Sequence, residues 1–82
     1  MRVVLLPQAV EDLDRIADPL WSRIVKRLEA LGRYPDLGAP MAGRFAAYRS
    51  FVVELFRVVY RVKGHVVQTA YIRDGRRKPI DD

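Results

Sequence analysis

Apolar positions change their period along this chain, and the changes predict its elements. Residues 2–6, RVVLL, are apolar without alternation, the pattern of a strand covered on both faces, and Pro7 ends the run. Proline suits the first turn of a helix, where its missing N–H would be unpaired anyway, and Leu13, Ile16 and Ala17 continue at helical spacing through residues 8–17. Asp18-Pro19 repeats the start signal with a capping carboxylate. The helix it opens, over 19–31, carries Leu20, Ile24, Leu28 and Leu31 on one stripe, Trp21 and Val25 at its margins, and Arg23, Lys26 and Arg27 opposite. Two short amphipathic helices joined by so tight a break predict a hairpin laid on a sheet, with Trp21 in the helix–sheet core.

Two Pro and two Gly make residues 34–43 a loop, and from Phe45 to Arg73 the chain reads as strand. In 51–62, FVVELFRVVYRV, the parity of the apolar positions switches. Phe51, Val53 and Leu55 stand on one parity, whereas Phe56, Val58, Tyr60 and Val62 stand on the other, with Arg57, Val59, Arg61 and Lys63 on the reverse side. A strand's side chains repeat every two residues, so the switch places a tight turn near Val53–Leu55. Lys63-Gly64 marks a second turn. The predicted fold is α+β, β-α-α-β-β-β, a curved antiparallel sheet with a helical hairpin on one face.

Composition narrows the classes. At 82 residues there is room for one core, so residues 1–82 are read as a single domain. Without cysteine there is no disulfide framework or thiolate metal site, and neither a signal peptide nor a membrane-length apolar run is visible, which points to the cytoplasm. Charge is the functional clue. Residues 1–43 balance six basic against six acidic side chains, while residues 44–82 hold nine against four, so the whole excess of +5 lies in the second half. It peaks at residues 71–79, YIRDGRRKP. Like charges this close repel unless an anion compensates, so the cluster suggests a phosphate backbone or an acidic partner. Lone His65, beside a turn glycine, reads as an exposed turn residue.

In this order the chain resembles the RelE/ParE superfamily, small toxins of bacterial type II toxin–antitoxin pairs. The likeness rests on PQAVEDL after the first strand, DPLWSRIVKRLEAL, GAPMAG, the Tyr48-Arg49 pair, FRVVYRV at 56–62 and RDGRR at 73–77. It implies a microbial-ribonuclease-like fold with a basic face opposite the helices, and no cofactor or metal. In the RelE-like branch that face implies ribosome-dependent cleavage of mRNA; in the ParE-like branch the target is DNA gyrase. An antitoxin partner is implied by both.

On the family pattern, Arg57 and Arg76 match positions tied to phosphate stabilisation, for which the planar, permanently charged guanidinium is suited. Arg49 matches a third basic position, with Arg61, Arg73 and Arg77 as further substrate contacts. Arg61 and Lys63 read equally as a solvated strand face. Where the family often places Tyr the chain has Ile80. Lys78 is then the candidate for proton transfer, its pKa lowered by neighbouring cations. Three readings stay open: an mRNA endonuclease, a gyrase inhibitor without RNase activity, and a non-catalytic basic binding module on the same scaffold.

Overall fold

The structure, a computed structural model, describes residues 1–75. Among them the chain forms β1 (Arg2–Leu5), α1 (Pro7–Asp14), α2 (Leu20–Ala30), β2 (Ala39–Pro40), a 3-10 turn (Gly43–Phe45), β3 (Arg49–Val53), β4 (Phe56–Lys63) and β5 (Val66–Asp74). The strands make one sheet in the order β1-β5-β4-β3-β2. The α+β architecture is the expected one, with two differences. The sheet is mixed, because β1 pairs parallel with β5, from Arg2 opposite Val66 to Leu5 opposite Thr69. A short strand, β2, also lies within the expected loop and pairs antiparallel with β3. Pro40 lacks an N–H, which an edge strand tolerates.

β3, β4 and β5 are the expected antiparallel meander. Val53 pairs with Phe56 across a two-residue turn, Glu54-Leu55, where the parity switch places it; Glu54 takes a φ of 54°. The second turn is Gly64-His65, one residue later than Lys63-Gly64, with Lys63 opposite Val66 and Gly64 at a φ of 62°. His65 is exposed there. Between β4 and β5 the register slips: Val59 faces Tyr71, but the next residue, Tyr60, faces Thr69. Ala70 is therefore an extra residue in β5, a bulge that reverses the parity of everything after it.

Ile24, Leu28 and Leu31 of the α2 stripe pack on Phe51, Val53, Val58, Tyr60, Val67 and Ile72 of the sheet, with Val3, Leu5, Leu13 and Leu20 around them. Ile24, Leu31, Val58 and Tyr60 are fully buried. Trp21 is not in this core and is 39% exposed. One residue beyond Leu20 means a rotation of about 100°, which carries the indole off the stripe. α2 begins at Leu20 with Pro19 at its cap, one residue later than expected, and the Asp18 carboxylate before it accepts from the Ser22 backbone N–H at 3.0 Å and from the Ser22 hydroxyl.

β1 stops before β5 does. The Leu6 N–H donates to the Thr69 carbonyl at 2.9 Å, and Pro7 then turns the chain into α1, which leaves the later part of β5 without a strand neighbour on that side. α1 takes that place. Its Asp12, 8% exposed, accepts from the Ile72 backbone N–H at 2.9 Å through Oδ2 and from Gln8 Nε2 at 2.9 Å through Oδ1. A strand N–H that no neighbouring strand could satisfy is thus paired by a helix side chain.

Candidate nucleic-acid interface

Strand parity decides which side chains face away from the helices. On β4 these are Arg57, Val59, Arg61 and Lys63, opposite in parity to the core residues Val58 and Tyr60. Their cross-strand partners complete the face. Arg57 stands between Val52 of β3 and Arg73 of β5, Val59 between Ser50 and Tyr71, and Arg61 opposite Gln68. Gln68 and Tyr71 are an odd number of residues apart yet share this face, because the Ala70 bulge intervenes. Without it, one of the two would point into the core.

The three arginines on the face are held. Arg57 Nη1 donates to Ser50 Oγ at 3.0 Å. Arg61 Nε donates to Gln68 Oε1 at 3.0 Å, and its guanidinium lies 5.4 Å from the ring centroid of Tyr48. Arg73 lies 5.4 Å from the centroid of Tyr71 and reaches the α1 carboxylate, with Nε 3.5 Å from Asp12 Oδ2. The Tyr71 hydroxyl titrates above the ordinary tyrosine value, since burial disfavours its anion. Arg73 and Arg57 pull against that rise and Tyr48 adds to it. Tyr71 is therefore a phenol at neutral pH, a proton donor and not a base. The face presents three guanidinium groups, two of them lying over the Tyr48 and Tyr71 rings, a surface suited to phosphate.

Arg57, Arg61 and Arg73 are thus brought to one face. Arg49 is not. It pairs in register with Tyr60, on the core parity, and its Nη1 donates to the Gly38 carbonyl at 2.6 Å, fastening the loop before β2. Arg76, Arg77, Lys78 and Ile80 lie outside the described residues. Sequence reasoning missed Ser50, Tyr48 and Gln68 as members of the face. The parity of β3 could have found the first two, whereas Gln68 and Tyr71 together required the bulge. It also missed Asp12, which periodicity marks only as a helical polar residue.

Among the described residues, no group of three or more His, Cys, Asp or Glu side chains could hold a metal ion, and no helix is long and apolar enough to cross a membrane. A family model, the ParE toxin of the type II toxin–antitoxin system parDE, matches residues 3–79. Comparison with curated proteins gave no match. Similar solved structures include the RelBE2 toxin–antitoxin complex of Mycobacterium tuberculosis, at a TM-score of 0.81 and 21% identity over 89% of this chain and 95% of that one. The intact RelBE complex of E. coli superposes at a TM-score of 0.78 and 15% identity, covering 93% of this chain and 98% of the other. The chromosomal ParDE system of P. aeruginosa gives a TM-score of 0.74 and 24% identity over 90% and 95%. At these identities the superpositions establish the fold.

Proposed function

Since the chain belongs to the ParE toxin family of type II toxin–antitoxin systems, within the RelE/ParE superfamily, we propose that it stops growth by cutting mRNA on the ribosome in the cytoplasm. The observation that carries this reading is the direct cross-strand pairing of Arg57 with Arg73, with Tyr71 beside them on the same face. Cleavage by the RNA's own 2′-hydroxyl removes that proton, forms an O2′–P bond, breaks the P–O5′ bond and returns a proton to O5′. Arg57 and Arg73 stabilise the charge that builds on the phosphoryl oxygens, each as a charge-assisted donor. Arg61 and Arg77 bind flanking phosphates, Arg76 joins the phosphate-stabilising pair, and Lys78 handles the proton. An antitoxin with an acidic, apolar-studded segment silences the toxin by covering this face.

Expression of the wild-type chain in growing cells, followed by mapping of mRNA 5′ ends, tests the reading. Cuts inside translated codons support it; growth arrest with mRNA intact overturns it. A second reading, inhibition of DNA gyrase, is favoured by the name of the family model and by the absence, at the described strand positions of this face, of any carboxylate or imidazole to act as a base. Loss of plasmid supercoiling in arrested cells with intact mRNA would establish it. If cells neither arrest nor lose mRNA, a non-catalytic binding module is left.

A further inference from the structure

We infer that Asp12 is a positioning residue that sets both the orientation and the effective charge of Arg73 on the anion-binding face. The inference rests on the reading of that face as one that binds a polyanion.

Three observations converge on Asp12. It is a carboxylate only 8% exposed, which is costly unless its oxygens are satisfied. Both are: Oδ1 accepts from Gln8 and Oδ2 from the Ile72 backbone N–H, each at 2.9 Å. The carboxylate is thereby fixed to the strand that carries Arg73. The third observation is the contact itself. Arg73 Nε stands 3.5 Å from Asp12 Oδ2, close enough for an ion pair, yet this buried Nε makes no hydrogen bond. Asp12 therefore attracts Arg73 without saturating it. A guanidinium has five N–H donors, and one held by charge alone can turn to an incoming phosphate.

The arrangement does two things at once. It draws Arg73 back across the Tyr71 ring to the α1 side, so that Arg57 and Arg73, like charges in direct cross-strand register, are not left facing each other uncompensated. It also cancels part of the Arg73 charge, which lowers the affinity of the face for anions in general. The cleft where this happens, between α1 and the end of β5, is lined by Gln8, Asp12, Phe56, Arg73 and Asp74.

Asp12→Asn keeps an oxygen for the Ile72 N–H and removes the charge. With the full chain and a 2′-O-methyl RNA 12-mer as an uncleavable probe, this variant should bind up to about fivefold tighter than wild type at low salt, the scale of a partly exposed ion pair. The slope of log K against log salt should steepen, by no more than about 0.7, as Arg73 loses its internal counter-charge and meets its phosphate with the full charge. In an Arg73→Gln background the same substitution should change nothing. An unchanged affinity, or an equal gain with and without Arg73, overturns the inference. Failure of the wild-type chain to bind the probe, with no change on Arg57→Ala, instead overturns the reading of the face. A measurement on the wild-type protein covers the case in which Asp12→Asn does not fold. During titration with the same probe, the NMR signals of Arg73 Nε–H and the Asp12 carboxyl carbon should move together; an Asp12 signal that stays still while Arg73 moves contradicts the coupling.

Discussion

Replacing Tyr60 by Phe should cost this protein about 2 kcal/mol of stability without touching the arginine face. Tyr60 is fully buried, and its hydroxyl makes two hydrogen bonds, donating to the Pro35 carbonyl at 2.7 Å and accepting from the Gly38 N–H at 2.8 Å. The Phe ring fills the same volume, so no cavity forms. What is lost is the partner of a buried N–H and of a part-buried carbonyl, and stranding such groups costs about 1–3 kcal/mol. Water cannot readily replace the hydroxyl, because Gly38 is pressed against the sheet. A Cβ there would lie 2.8 Å from the Ser50 carbonyl oxygen and 2.9 Å from the Tyr60 ring. In a domain of this size, 2 kcal/mol lowers Tm by about 10 °C. Urea unfolding followed by far-UV circular dichroism should show a lower midpoint with an unchanged m-value. A loss below about 0.5 kcal/mol would refute the reasoning, since it would mean that the 35–38 loop is not held by this hydroxyl. The folded variant should keep its toxicity, because Tyr60 points to the helices and Arg57 points away.

Arg57→Ala should weaken binding of an uncleavable RNA oligomer by about tenfold or more, the scale of a lost charge-assisted hydrogen bond, with urea unfolding nearly unchanged because the side chain is exposed. Tyr71 should ionise above the ordinary tyrosine value in a 13C NMR titration, and Arg57→Ala should push it higher still, because a nearby cation that favours the phenolate is removed. The linked effect on stability has a definite sign. A phenol whose folded pKa lies above its unfolded value of about 10 contributes stability that is complete below that pH. That contribution is lost as pH rises from there through the folded value, so Tyr71→Phe should flatten the alkaline fall in Tm. Trp21→Ser should destabilise the fold less than Leu28→Ser, as befits a side chain outside the core, and urea unfolding of the two variants checks the order.

Much of this fold is legible in the sequence because its signals are local. The stripe Leu20, Ile24, Leu28 and Leu31 fixes which side of α2 is buried, and the parity switch at Glu54 fixes both the turn and the outward face of Arg57. What was not legible depends on pairing between distant segments. Nothing in RVVLL indicates that it lies parallel to β5, and Ala39-Pro40 becomes a strand only because β3 offers it an edge. The Ala70 bulge has no residue signature such as glycine, yet it decides that Tyr71 joins the basic face. Arg49 illustrates the cost of reading charge without register. Its place opposite Tyr60 sends it to the Gly38 loop, on the other parity from Arg57. Asp12 looks like an ordinary polar helix position, and only the end of β1 four strand residues into the chain makes it the partner of Ile72 and Arg73.

The most direct test of the proposed activity is a map of mRNA 5′ ends in translating cells shortly after induction of the wild-type chain or of Arg57→Ala. New ends within translated codons, present with the wild type and absent with the variant, are the result expected. Growth arrest without new ends, or equal cutting by both proteins, would contradict it.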